Sequence, residues 1–190
     1  MKVEHGFKHI VEAGDTILAS REINHFEFTK ELLPDKKYQF RMLATYILGQ
    51  LSVDNQKALK ILETKVALDD NWRVQEMLAK AFDYYCKIIG YENALPEIEN
   101  WLSRKNPNNK RAVVEGLRVW TARPYFKDNP EVAVRLIAKS KFDESEYVRK
   151  SIGNALRDVS KIHNELVDTE ISCWDLKDKK LLYIDKLVHK

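Results

Sequence analysis

One apolar pattern recurs along this chain and leaves little choice of architecture. Apolar residues at offsets 0, 4, 7, 8 and 11 read Phe40, Ala44, Ile47, Leu48 and Leu51, then Val74, Leu78, Ala81, Phe82 and Tyr85. They recur as Val148, Ile152, Ala155, Leu156 and Val159. At about 100° per residue, these offsets fall on one side of a helix. A further copy anchored at Val113 continues with Leu117, Trp120 and Thr121 and breaks at Pro124, giving anchor spacings of 34, 39 and 35 residues. A register anchored on Arg111 is similarly even but would bury Lys110 and Arg118, so the Val113 register is preferred. A helix apolar on one side needs neighbours to cover it, and repeats of this period made of helix pairs do so by stacking into an α-α superhelix.

The rest of the chain is consistent with a HEAT-like repeat solenoid of the all-α class. From residue 37 onward, amphipathic segments alternate with short breaks and no period-2 strand pattern occurs. The breaks lie at Ser52-Val53-Asp54, Asp69-Asp70-Asn71, Gly90, Asn106-Pro107-Asn108, Lys127 to Pro130, Asp143 and Asn164. Asp and Asn at several of them predict helix N-caps, and about nine helices result. Residues 1–36 predict one or two capping helices before Pro34, so a single repeat domain is expected over 1–190. With 44% hydrophobic residues in 190, the core is sizeable, and 6 Gly and 5 Pro leave no room for long linkers. No apolar run is long enough to span a bilayer, and the first ten residues lack a signal-peptide apolar region, so a cytoplasmic protein with no membrane partner is expected. Cys86 and Cys173 read as reduced, buried thiols. The five histidines do not pair with Cys, Asp or Glu at zinc spacing, so no metal is expected.

Charge separates one region from the rest. Residues 101–161 hold 14 Lys and Arg against 7 Asp and Glu, leaving 18 against 22 elsewhere. That asymmetry favours an anionic ligand, nucleic acid first. Helical arithmetic places Trp72, Glu76, Lys80 and Asp83 away from the apolar face in the second copy, Arg111, Glu115 and Arg118 in the third, and Lys150, Asn154 and Arg157 in the fourth. Lys161 continues the last stripe and Asp158 flanks it. Glu76 and Glu115 occupy the same offset in consecutive copies. Trp72 needs a cover, either a ligand or the preceding loop. Trp120 lies on the apolar face and reads as core, as do Trp101 and Trp174. Pro124 ends its helix and brings Arg123 and Tyr125 to a loop. The candidate phosphate-contacting set is Arg111, Arg118, Arg123, Arg149, Lys150, Asn154, Arg157 and Lys161.

The strings WRVQEM (72–77), RAVVEGLRVW (111–120) and YVRKSIGNALRDVSKIHNELV (147–167) resemble the DNA alkylation repair proteins of HEAT-like repeat fold, the AlkC/AlkD superfamily, on its AlkC side. The likeness covers residues 38–175. It is strongest from Tyr147 to Lys161, similar to the family's VRRSVANxLxDIxKxHP, with Asn154, Asp158 and Lys161 kept. The resemblance implies a monofunctional glycosylase that excises cationic N3- or N7-alkylated purines from double-stranded DNA without metal or cofactor. Carboxylates would stabilise the oxocarbenium that forms as the base leaves, and an aromatic face would attract the cationic base. It matches Glu76 and Glu115 to family acidic positions, Asp158 to the catalytic aspartate, and Trp72 to an aromatic before the first acid. The chain departs from the AlkC pattern after Glu115-Gly116, where Trp120 lies closer to the glutamate, and with Lys190 as the last residue the C-terminal immunoglobulin-like domain of typical AlkC enzymes is not expected. Two other readings of the same residues are a non-catalytic binder of damaged or branched DNA and a protein-interaction scaffold.

Overall fold

Three aspartates at equivalent positions organise the loops from which the repeated helices start. The structure, a computed structural model, describes residues 6–118 and 120–190. The helices are α1 (Phe7–Ala19), α2 (His25–Leu32), α3 (Tyr38–Leu51), α4 (Gln56–Thr64), α5 (Trp72–Ile89), α6 (Leu95–Ser103), α7 (Pro107–Gly116), α8 (Pro124–Asp128), α9 (Pro130–Ala138), α10 (Glu146–Ser160), α11 (Asn164–Ser172) and α12 (Lys179–Val188). Single 3-10 turns lie at Val66–Leu68 and Trp120–Ala122. Ahead of α3, α5 and α10, the side chains of Asp35, Asp69 and Asp143 accept the backbone N–H two residues on, at 2.7, 2.8 and 2.8 Å. Each aspartate's carbonyl in turn accepts from a side chain in the first turns of the helix: Arg41 at 2.9 Å, Gln75 at 2.9 Å and Arg149 at 2.6 Å. The loop's polar groups are thereby paired, and the helix starts where the sequence places it.

The chain forms two compact units, one up to Ile88 and one from Ile89 to Lys190. In the first, α3 packs against α1, α2 and α4, and Ile47, Leu48, Leu62, Met77, Leu78 and Phe82 lie fully buried. Arg41 of α3 donates through Nε to Asp69 at 2.6 Å, tying one repeat's helix to the next repeat's loop. In the second, α10 is the hub, packed on α7, α9, α11 and α12. Lys110 of α7 pairs with Asp143 in the same relation. A Cβ at Gly153 would come within 2.6 Å of Leu187 Cβ, so this position lets α10 and α12 approach closely. Gly90 takes a φ of 90° directly after α5, a conformation that glycine adopts at little cost.

Several expectations need correction. Among the described residues, α1 and α2 stand before Pro34, where one or two capping helices were expected, and ten α-helices follow from residue 37 against about nine expected, because α8 is a separate short turn. The third copy starts one helical turn earlier than the Val113 register. Counting three residues past the N-caps Lys37, Asn106 and Ser145, and past Asn71 ahead of α5, aligns Phe40, Val74, Asn109 and Val148, spaced 34, 35 and 39 residues. Asn109 is buried at the anchor, followed by buried Val113, Leu117 and Trp120. The apolar face was assigned to the correct side, but a polar anchor hid its first turn. Glu115 consequently falls one turn later than Glu76, not at the same offset. The helix also ends at Gly116 rather than running to Pro124, and Pro124 instead opens α8, where its missing N–H costs nothing. Lys110 is mostly buried after all, with Asp143 as its partner. Cys86 is buried, but Cys173 is exposed, and both are free thiols. No helix among the described residues is long and apolar enough to cross a membrane. The signal-peptide reading rests partly on residues 1–5, which lie outside the described residues.

Candidate functional site

The end of α7 and the last turns of α10 bring two of the three candidate acids onto one arginine. Glu115 stands in the final turn of α7 and Arg118 in the turn that follows it, three residues on. Asp158 and Lys161 stand at the end of α10, also three apart, a spacing that puts them on one helix face. Arg118 Nε donates to Asp158 Oδ2 at 2.8 Å, and its Nη1 lies 3.7 Å from Glu115 Oε2. Lys161 Nζ donates to Asp158 Oδ1 at 2.7 Å. Behind them, buried Ser151 donates from Oγ to Glu115 Oε1 at 2.6 Å, fixing the rotamer of the glutamate from α10. The side chains of Asp158 and Glu115 are 25% and 21% exposed, those of Arg118 and Lys161 42% and 66%.

This geometry sets the electrostatics. Partial burial raises the pKa of the Asp158 carboxyl, but the hydrogen bonds and charges of Lys161 and Arg118 outweigh it and hold the group below its ordinary value. Asp158 is therefore an anion throughout the physiological range. A carboxylate has about four lone-pair sites, and the two cations occupy one on each oxygen, so Asp158 keeps capacity for a water or a developing positive charge. Four formal charges meet here, two of each sign, so the network is balanced rather than strongly cationic.

The other candidates are placed differently. Glu76 and Trp72 belong to α5 in the first unit, and both are exposed. Trp72 is 57% exposed, so the preceding loop does not cover it. The guanidinium of Arg73 lies 4.4 Å from the Trp72 ring centroid and 5.3 Å from that of Tyr38. Arg73 is thus a ring-flanked cation that the sequence analysis passed over. In the second unit, Arg111 lies 5.8 Å from the ring of Tyr147, which is itself exposed. Lys150 is exposed. Arg123 lies 5.7 Å from the Tyr91 ring. Arg149 donates to the carbonyls of Asp143 and Glu144 and so holds the loop before α10. Arg157 donates to Asn154 Oδ1 at 3.0 Å and to the Leu187 carbonyl at 3.3 Å, tying α10 to α12. Trp120 is fully buried against Phe126, with ring centroids 4.7 Å apart, and belongs to the core. Trp101 and Trp174 are buried as well, each donating to a glutamate one helical turn earlier.

Ser151 and Tyr147 escaped the sequence reading for different reasons. Ser151 lies on the buried side of α10 and resembles a tolerated core serine, and its acceptor is 36 residues away. Tyr147 begins the most distinctive string in the chain, and an aromatic beside a run of basic residues was the available signal.

Residues 14–172 match a sequence family described as DNA alkylation repair enzyme. The chain is 46% identical to AlkD2 from Streptococcus mutans, covering 100% of this chain and 91% of that one at a TM-score of 0.94. It is 44% identical to smu.31 from Streptococcus mutans UA159, covering 96% and 91%, with a TM-score of 0.92. An alkylpurine DNA glycosylase, AlkC from Pseudomonas fluorescens, solved with DNA containing an abasic site analog, has a TM-score of 0.71. Its identity is 18%, with coverage of 95% of this chain and 51% of that one, a likeness of fold alone. An uncharacterised protein, YhaZ from Bacillus subtilis (strain 168), is 32% identical over 91 residues, which are 46% of this chain. That match spans only 26% of the YhaZ chain.

Proposed function

This chain belongs to the DNA alkylation repair enzyme family, and from that premise we propose that it binds duplex DNA and hydrolyses the N-glycosidic bond of cationic N3- or N7-alkylated purines. The observation that carries this reading is Asp158, a carboxylate kept ionised by two cations yet still partly open to solvent. An alkylated purine already carries positive charge, so its bond to the sugar breaks with both electrons going to the base, which leaves neutral. The sugar becomes an oxocarbenium. A fixed anion stabilises that charge and orients a water, whose oxygen bonds to the anomeric carbon while its proton passes to solvent or to the carboxylate. Glu115, held by Ser151, contributes a second negative group on the far side of Arg118. Arg111 and Lys150 are assigned to backbone phosphates, which position the duplex without reading its sequence.

The test is release of methylated purines from methylated duplex DNA, measured by chromatography. Wild-type protein is expected to release them, and Asp158→Asn to lose at least about a hundredfold in rate, the size of effect seen when one preorganised electrostatic group is removed. No release by the wild type, or equal release by the variant, sinks the catalytic reading.

A second reading has its own observation. Both oxygens of Asp158 already hold a charged donor, and Trp120 is committed to the core. A protein that binds damaged or branched DNA without cutting it fits the same residues. It predicts salt-sensitive DNA binding with no base release.

A further inference from the structure

The cations nearest Asp158 are not waiting for a ligand. Arg118 is bonded to Asp158 and close to Glu115, and Lys161 is bonded to Asp158. We infer that Asp158 and Glu115 mask Arg118 and Lys161, so that this surface accepts a nucleic-acid backbone only by exchange: phosphate oxygens take over the two cations as the carboxylates let go. The inference rests on the DNA-binding reading above and adds to it a regulation of that surface.

Exposure decides whether such an exchange is affordable. Ion pairs between solvent-exposed groups contribute little to stability, and the Lys161 and Arg118 side chains are 66% and 42% exposed. The pair of Lys110 and Asp143 provides the contrast, with side chains only 16% and 10% exposed. Removing one partner there strands a buried charge, so it stays closed. The masked pairs sit between these extremes, cheap to open yet present before any ligand arrives. Replacing a carboxylate with a phosphate on each cation also releases counterions from the duplex, which favours exchange with a polyanion over exchange with a single free anion. Opening has a second consequence, because Asp158 then loses the partners that neutralise it and is free to face a positive charge. Binding of the backbone and exposure of the anion become one event.

The proposal makes an expectation that runs against a catalytic acid acting only on chemistry. Fluorescence anisotropy with an unmodified labelled duplex, titrated at several salt concentrations, compares wild type with Asp158→Asn. The variant should bind about threefold to tenfold more tightly, with a log–log salt slope little changed, because the same two cations reach phosphates in both proteins and only the cost of freeing them differs. Adding Lys161→Gln to Asp158→Asn should return much of that gain. Glu165→Gln, which removes the same charge from an exposed position at the start of α11, controls for net charge and should shift affinity far less. Thermal melts of each variant establish folding, and Lys161→Gln alone, at an exposed side chain, provides the variant least at risk. Unchanged or weaker duplex binding by folded Asp158→Asn, with wild type binding well, overturns the masking and leaves the DNA reading intact. A gain matched by Glu165→Gln also overturns it. If no duplex binds to wild type or any variant, the proposed function fails and the masking fails with it.

Discussion

The two units use one construction and leave their acids in opposite states. In each, a basic residue early in one repeat's helix holds the aspartate of the next repeat's loop, Arg41 with Asp69 in the first unit and Lys110 with Asp143 in the second. The third copy carries Arg104 at the position of those aspartates. Beyond that shared rung the units diverge. The first is charge-neutral, with 13 basic and 13 acidic residues, and it exposes Glu76 beside Trp72. The second has 19 basic against 16 acidic residues, and it ties Glu115 and Asp158 into a network with Arg118, Lys161 and Ser151. The lesson is that repeat position fixes where a side chain stands, whereas its chemistry is decided by what the neighbouring copy offers it.

The largest expected effect separates core from site in the second unit. Trp120→Ala should destabilise the protein by about 3–5 kcal/mol, the usual cost of emptying a buried aromatic position, and urea unfolding followed by circular dichroism measures it. A cost below about 1 kcal/mol would mean that Trp120 is not a packing residue of the core. Next come the two rungs. Asp69→Ala strands a mostly buried Arg41 and frees an N–H in the loop before α5, at about 3 kcal/mol. Asp143→Ala does the same to Lys110 and the loop before α10, at about 2–3 kcal/mol. Hydrogen exchange should show the first variant losing protection in α3 and α5 and the second in α7 and α10. The reverse pattern would break the equivalence of the units.

The repeat could be read from the sequence wherever its anchors were apolar. Phe40, Val74 and Val148 all stand in the first turn of their helices in the expected register, and the expected caps Asn71 and Asn106 accept from the first N–H groups of α5 and α7, whereas Lys37 and Ser145 stand at the caps of α3 and α10. The third copy was misread because Asn109, a buried asparagine, stands where the pattern requires an apolar group. That one polar anchor moved the register by a turn and paired Glu76 with Glu115 wrongly. Within the second unit, Glu115 and Asp158 were singled out as acids from helical arithmetic and the family resemblance. Their joint attachment to Arg118 was not anticipated, because a long side chain in an irregular turn has no periodicity to reveal its direction. Arg149 and Arg157 read as free cations for a similar reason, since their acceptors are carbonyls and carry no sequence signature. Trp72 is the converse case: helical geometry placed it away from the apolar face with a ligand or the preceding loop as its cover, and the structure leaves it exposed with Arg73 across its ring.

A smaller effect tests the difference between the two glutamates. Glu76→Gln removes an exposed charge and should change stability by less than about 0.5 kcal/mol. Glu115→Gln weakens a short bond from buried Ser151 and the nearby Arg118 pair, and should cost about 1 kcal/mol. Ser151→Ala should match the latter, since it breaks the same bond from the other side. If Glu76→Gln is the more destabilising change, the first unit holds its acid more firmly than the exposed geometry implies.

The smallest effect is the pH dependence of Asp158, and its sign follows from the lowered pKa. A carboxyl with a folded pKa below its unfolded value of about 3.9 stabilises the folded state at every pH above that value. The contribution is lost as pH falls through the folded pKa. The stability difference between wild type and Asp158→Asn should therefore be flat from about pH 5 to 8 and shrink toward zero below about pH 4. Its plateau should be only about 0.5 kcal/mol, because Lys161 and Arg118 are substantially exposed and water screens the pairs. Raising the salt concentration should shrink that plateau further, whereas the cost of Asp143→Ala should persist at high salt because its partner Lys110 is shielded from solvent. A plateau as large and as salt-resistant as that of Asp143 would show that the Asp158 pairs are closed in the same way. Exchange with phosphate would then cost too much to occur, and the two acids of the second unit would have to be regarded as structural.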